Sequence, residues 1–271
     1  MKKILIAAAA VMFLTGCRGE SREPGGGANI LASTTMAASL ARDIMPQARI
    51  AVLIPPDSCP GHFDLKPSDA EKIMDADIFI VHVFQKALAE KMRKIKNEPA
   101  VGVIRTVDTT IPDNYIRALG ETKEILSSVF PEKADEFKKQ FRKKTEEIKK
   151  LEKKSSDTVR KIQNGKFKVL VSGMQKGLAD YFGMEIKGVF GDPKSLSPGQ
   201  LKKMINSAEK SGIDIIASNS AGTHDAAADI FARRLNKEKI IFSNFPGVKE
   251  CGPGFEGLWE YNLRQAEKLI K

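Results

Sequence analysis

The feature that most constrains the fold is an unbroken run of helix-forming residues at positions 131–164. The run contains no Gly and, after Pro131 at its start, no further Pro. Its apolar residues recur at helical spacing, at Phe137, Phe141, Ile148, Leu151, Val159 and Ile162. Because charged residues occupy the other faces, the pattern is typical of one helix that packs along a narrow stripe. We expect Pro131 to open this helix and Gly165 to stop it.

A helix of about 33 residues would be a rod of roughly 50 Å, which is longer than most helices in globular proteins. Polar residues interrupt its heptad seam, which argues against a coiled coil. An exposed linker helix is the other alternative. We interpret the run as a rigid strut whose apolar stripe lies along two lobes, one before it and one after it. A stiff connection of this kind predicts only small lobe rotations on ligand binding.

On both sides of the strut, short apolar strands alternate with amphipathic helices. This alternation predicts an α/β fold with two parallel-sheet lobes, joined by one long rigid α-helix, and a ligand cleft between the lobes. The length of 271 residues also favours two domains. The expected organisation is a signal and lipobox at 1–17, a flexible tether at 18–28, an N-terminal lobe at 29–130, the linking helix at 131–164 and a C-terminal lobe at 165–271.

The first 17 residues have the pattern of a targeting segment. Lys2 and Lys3 precede an apolar stretch at positions 4–14 that is too short to span a bilayer comfortably. Small residues then lead into Cys17, which resembles the bacterial lipobox, in which the Cys is lipidated. We therefore expect Cys17 to anchor an extracytoplasmic domain to the bacterial membrane, in the periplasm or at the cell surface. A plain signal peptide with an incidental Cys is the alternative.

Charge and motifs exclude several classes of function. The formal net charge is +10, but on the strut 12 Lys and Arg residues alternate with 7 Asp and Glu residues. Such alternation is typical of a solvated helix surface, so we expect a monomer with no nucleic-acid partner. The sequence has no HExxH motif, P-loop, dinucleotide fingerprint or nucleophile elbow. These absences favour a binding protein over an enzyme.

Residues suited to metal binding follow predicted strands in both halves of the chain. They are Cys59, His62, His82, His224 and Cys251. Ligands of open α/β sheets bind at the carboxyl ends of the strands, so two facing lobes would bring these side chains to one cleft. Thiolate and imidazole together suit Zn²⁺, which is the first candidate for the cargo, while Mn, Cu, Ni and Co remain open.

Each candidate ligand also has a structural alternative. His82 ends an apolar strand and is equally compatible with a buried core histidine. His224 falls in a first helical turn, where it could simply be a surface residue. Cys59 and Cys251 are an even pair in an extracytoplasmic protein, so a disulfide between the lobes competes with metal ligation.

The segment at residues 53–69, with Gly61-His62 followed by Pro67-Ser68-Asp69, resembles the metal-binding lipoproteins of zinc and manganese ABC importers, the cluster A-I family. The resemblance covers nearly all of residues 29–271, including the long helix and a closing helix with Tyr261-Asn262, and the lipobox that precedes this range also fits it. It implies a solute-binding lipoprotein that captures a metal ion between two lobes and delivers it to an ABC transporter permease. The alternatives are a scaffold for a chelated or organic ligand, of siderophore or corrinoid type, and a surface adhesion protein.

Carried over residue by residue, the resemblance places His62 on the first metal ligand of the family. The other family positions hold Val107 or Asp108, Ser172 or Gly173 with Gln175 nearby, and Asn219 and Asn244. The usual ligand set is therefore incomplete. We expect Cys59, His224 and Cys251 to compensate, which would make the site rich in sulfur.

Overall fold

The computed structural model describes residues 27–97, 100–192, 196–221, 224–248 and 250–270, with the backbone alone at His62 and His224. The predicted lipobox, with Cys17, and the tether up to residue 26 lie outside the described residues. Within the described part, none of the helices combines the length and the apolar character that crossing a membrane requires.

The first sheet has four parallel strands in the order β2-β1-β3-β4. The strands are β1 (Asn29–Ala32), β2 (Arg49–Val52), β3 (Ile78–His82) and β4 (Ala100–Ile104). The helices that follow them are α1 (Thr35–Ile44), α2 (Pro67–Asp75), α3 (Lys86–Ile95) and α4 (Pro112–Val129). Every residue of β3 is buried, as expected for a central strand covered on both faces.

The second sheet repeats this topology, with parallel strands in the order β6-β5-β7-β8. Its strands are β5 (Lys168–Ser172), β6 (Glu185–Phe190), β7 (Ile215–Asn219) and β8 (Lys239–Phe242). Its helices are α6 (Lys176–Tyr181), α7 (Pro198–Ser211), α8 (His224–Leu235) and α9 (Gly254–Glu267). In each sheet the chain changes direction beside the first strand, between β1 and β3 and between β5 and β7. The predicted fold class, two parallel α/β lobes, is confirmed.

The helices begin where the sequence supplies caps. The Thr34 hydroxyl accepts a hydrogen bond from the backbone N–H of Ala37 (3.1 Å) at the start of α1. Ser197 and Gln200 form a reciprocal capping box at the start of α7. Asp69, in the first turn of α2, accepts a hydrogen bond from the backbone N–H of Lys66 (3.0 Å). These local contacts fix where α1, α2 and α7 begin.

The strut is a 3-10 turn at Pro131–Lys133 followed by α5 (Ala134–Gly165), a helix of 32 residues. Its predicted stripe is confirmed, because the apolar residues Phe137, Ile148, Val159 and Ile162 are buried. The predicted stop at Gly165 is wrong. The helix includes Gly165 and ends at Lys166, which adopts a left-handed conformation with φ 47°. Gly165 is required for a different reason, since a Cβ there would overlap the ring of Phe167.

One hydrophobic core runs through both lobes and the strut. It includes Leu40 and Tyr115 of the first lobe, Ile148 of α5, and Phe182 and Trp259 of the second lobe. The rings of Tyr115 and Phe255 stack across the lobes, with centroids 4.2 Å apart. The lobes are therefore held together by shared packing as well as by the continuous helix.

Candidate metal site

A cavity of about 370 Å³ lies between the lobes, at the carboxyl ends of the strands. Its walls come from the loops after β2, β3 and β4 in the first lobe and after β5 and β8 in the second. The lining residues are Cys59, Pro60, Gly61, His82, Phe84, Thr106, Val107, Asp108, Thr109, Thr110, Gly173, Met174, Asn244 and Phe245. This is the crevice that the parallel-sheet topology predicts for a ligand.

The loop after β2 brings a thiol to this cavity. Cys59 is half-buried and carries a free thiol, and it precedes the 3-10 turn Pro60–His62. The Cys59 Sγ lies 3.8 Å from the position that a Cβ would take at Gly61. His62 ends the same turn, and only its backbone is described. The predicted pair Cys59 and His62 thus shares one short turn at the edge of the cavity.

His82 lies at the end of β3, lines the cavity and is 4% exposed. Its Nε2 atom is 2.9 Å from the hydroxyl of Thr34, and its ring stacks on Phe84 with centroids 5.2 Å apart. Burial lowers the pKa of His82 to about 4. The imidazole is therefore neutral at pH 7, which is the form that binds metals as well as the form that a core tolerates.

Asp108 comes from the loop after β4 and reaches the second lobe. Its backbone is left-handed, with φ 51°. Its carboxylate lies against Gly177 of α6, where a Cβ would overlap it. Burial and the nearby carboxylate of Asp180 raise the pKa of Asp108, and the positive charge of Lys176 opposes that shift. Asp108 therefore faces the charged start of α6 at the rim of the cavity.

Asn244 and its neighbours are positioned by α9. The side chain of Asn262 accepts a hydrogen bond from the backbone N–H of Ser243 (2.8 Å) and donates one to its carbonyl (2.9 Å). This clamp orients the loop after β8, where Asn244 Nδ2 donates to the carbonyl of Met174 (3.1 Å). The resemblance had pointed to Asn244 and Asn219 together, but Asn219 does not line this cavity and its Oδ1 accepts from Ala221 N–H (2.7 Å).

Sequence reasoning missed Met174, although a signal for it was present. The ten residues from Val81, VHVFQKALAE, align with the ten from Val171, VSGMQKGLAD, with Val, Gln, Lys, Leu and Ala at equivalent places. Both segments fold as the end of a strand, a 3-10 turn and the start of a helix. The alignment pairs Phe84 with Met174, and both of these residues line the cavity, one from each lobe.

One predicted ligand is placed differently, and one is not tested. Cys251 is 3% exposed, belongs to the hydrophobic core and does not line the cavity. Burial raises the pKa of its thiol. Cys59 and Cys251 are both free, so they form no disulfide with each other. His224 is the first residue of α8, and its side chain lies outside the description.

Among the described side chains, no group of three or more His, Cys, Asp or Glu residues is arranged to hold a metal ion. A second cavity, of about 650 Å³, lies between residues 55–57 and the second lobe. Its described lining includes carboxylates and a Tyr but neither His nor Cys. The smaller cavity is therefore the better candidate, because it contains the nitrogen and sulfur donors.

Solved structures share this two-lobed fold. A periplasmic metal binding protein from Candidatus Liberibacter asiaticus is 16% identical, over 90% of this chain and 100% of its own, with a TM-score of 0.73. Its Mn-bound structure is 16% identical, over 89% and 99%, with a TM-score of 0.72. The periplasmic zinc binding protein TroA from Treponema pallidum is 15% identical, over 90% and 99%, with a TM-score of 0.75. At sequence identities this low, the similarity shows a shared fold and nothing further.

A sequence match identifies the family. No curated protein sequence matches the chain. However, residues 30–268 match the family described as ZnuA, zinc-uptake complex component A, periplasmic. That match spans both lobes and the strut, and it agrees with the resemblance at residues 53–69. The chain therefore belongs to the periplasmic zinc-uptake complex component A family.

Proposed function

We propose that this protein is an extracytoplasmic solute-binding lipoprotein that captures a metal ion between its lobes and delivers it to an ABC transporter permease. The observation that carries the proposal is the cavity between the lobes, which gathers Cys59, the His62 turn and His82 at the strand ends. Family membership supports the same role. Zinc is the first candidate for the cargo, because thiolate and imidazole are its usual ligands.

The proposed ligands are Cys59, His62 and His82, with Asp108 and Asn244 at the edge of the site. Cys251 is not part of the proposal, because its thiol is packed within the core. His224 remains a candidate on sequence grounds alone. The protein acts by binding and release, so no catalytic residue is assigned. We further propose that the mature chain is a monomer, attached to the membrane by a lipid on Cys17.

Family membership favours a metal ion over the two alternatives, an organic or chelated ligand and an adhesion role. The test uses the chain from residue 18 onward, which contains every described element of the fold. Bound metals are measured by mass spectrometry for the unaltered chain, His62→Ala, Cys59→Ser and the neighbouring control Ser58→Ala. We expect about one metal ion per chain, retained in the control and lost or weakened at least tenfold in the other two. Absence of bound metal at neutral pH under reducing conditions would contradict the proposal.

A further inference from the structure

Both lobes contribute a sulfur-containing residue to the lining of the same cavity. Cys59 of the first lobe and Met174 of the second are both lining residues. Met174 lies outside the hydrophobic cores of the described residues and is only partly buried. Its side chain is therefore not committed to filling a core.

The backbone of Met174 is held in place. Asn244 donates its amide N–H to the Met174 carbonyl, at 3.1 Å, from the loop after β8. Asn262 in turn clamps the backbone of Ser243, next to Asn244. The loop after β8 therefore fixes the backbone of Met174 at the wall of the cavity, as a preorganised site requires.

Charged oxygen donors for a hard cation are scarce in the same cavity. Asp108 is the one carboxylate among its described lining residues. That carboxylate lies against Gly177 of the second lobe, near both Lys176 and Asp180. The other side-chain oxygens of the lining are neutral, and they belong to Thr106, Thr109, Thr110 and Asn244. Manganese prefers carboxylate, carbonyl and water oxygen, whereas thiolate and thioether select softer ions.

We infer that the site is specific for thiophilic cations, of the class of Cu(I), Ag(I), Cd(II) and the borderline Zn(II), and that Met174 is a specificity-determining residue. The inference rests on the proposed function, since it names the class of the metal that the cleft captures. Cys59 supplies the thiolate, and Met174 supplies a second sulfur from the opposite lobe. The two donors together make a sulfur-bearing clamp between the lobes.

Cadmium and manganese test this inference, because both ions are divalent and differ in softness. Binding is measured by competition titration at neutral pH with the chain from residue 18 onward, and the thiolate-to-metal ultraviolet absorption band reports Cys59. We expect the unaltered chain to bind Cd(II) at least about a hundredfold more tightly than Mn(II). Met174→Leu keeps the side-chain volume and removes the sulfur. It should therefore weaken the affinity for Cd(II) about tenfold and leave the affinity for Mn(II) nearly unchanged.

The matched control is Met74→Leu, which removes a thioether from an exposed position on α2 and should change neither affinity. Equal affinity for the two ions would overturn the inference. The inference would also be overturned if Met174→Leu left the ratio of the Cd(II) and Mn(II) affinities unchanged. Failure to bind any metal would overturn the proposed function as well, so the two failures can be told apart.

Discussion

At the scale of single residues, the two cysteines show how position changes the chemistry of a thiol. Cys59 is half-buried in a turn at the cavity, whereas Cys251 is 3% exposed within the core. Burial disfavours the thiolate, so the pKa of Cys251 is raised. A thiol in that environment is a poor nucleophile and a poor metal ligand.

This difference predicts stepwise reactivity in the chain from residue 18 onward. One thiol, that of Cys59, should react with a small disulfide reagent in the native state, and the second should react only after denaturant is added. Cys59→Ser should abolish the fast step and leave the slow one. Bound metal should slow the reaction of the Cys59 thiol with the reagent. Two fast thiols would contradict the buried position of Cys251, and no reactive thiol in denaturant would indicate a disulfide.

At the scale of elements, α5 is held by polar contacts as well as by its apolar stripe. Lys144 Nζ lies 3.2 Å from the carboxylate of Asp43 on α1 and 2.5 Å from that of Glu256 on α9. Tyr115 of α4 donates to the other oxygen of Asp43 (2.8 Å). Further along the helix, the indole N–H of Trp259 donates to Ser155 (3.2 Å). The strut is thus tied to helices of both lobes.

The Lys144 cluster predicts a specific loss of stability at alkaline pH. Burial alone would lower the pKa of Lys144, but Asp43 and Glu256 outweigh it and raise the pKa above the ordinary value of 10.5. Because the folded state holds this proton more tightly, the stabilisation is complete below pH 10.5 and is lost as pH rises through the folded pKa. Lys144→Met should therefore reduce the free energy of unfolding by about 2 kcal/mol at pH 7.

Urea unfolding at pH 7 to 11 checks this prediction. The Lys144→Met variant should lose less stability above pH 10.5 than the unaltered chain does. Lys143→Met is the matched control, since the neighbouring Lys143 is exposed. The free energy of unfolding of this control should match that of the unaltered chain at every pH. Parallel alkaline profiles for Lys144→Met and the unaltered chain would show that the cluster does not stabilise the fold.

At the scale of the whole molecule, the two lobes are not independent units. One core includes residues of both sheets and of α5, and the Tyr115–Phe255 stack joins α4 to α9. The cavity lies at the strand ends, where the lobes meet through loops. Shared packing makes lobe separation costly, which is consistent with the predicted small rotations on binding.

We expect this shared core to produce one cooperative unfolding transition despite two sheets. Trp259 is the single Trp and is fully buried in the core, so its fluorescence reports the junction between α5 and α9. Its urea transition should coincide with that of the helical circular dichroism signal. Two separated transitions would show that the lobes unfold independently. Scattering with and without metal should give nearly equal radii, whereas a large compaction on binding would show that the strut permits wide closure.

The helices, the strands and the fold class follow from local patterns in the sequence. The stripe of α5, the alternation of strands and helices, and caps such as Ser197 with Gln200 are encoded by neighbours three or four positions apart, so they can be predicted locally. Even there, one local inference was wrong. Gly is a residue type that commonly ends a helix, but the role of Gly165 depends on the ring of Phe167, which packs against it.

In contrast, the grouping of polar residues in one cavity depends on how the elements pack in three dimensions. The sequence placed Cys59, His82 and Cys251 alike at strand ends, but the loop after β8 sends Cys251 into the core while Asn244 and Phe245 reach the cavity. The same docking brings Met174 and Cys59 to the lining of one cavity. These outcomes depend on strand order and on the packing of α9 against the strut, which are contacts between residues far apart in the chain. Local periodicity carries no information about them, because it specifies only which face of an element is buried.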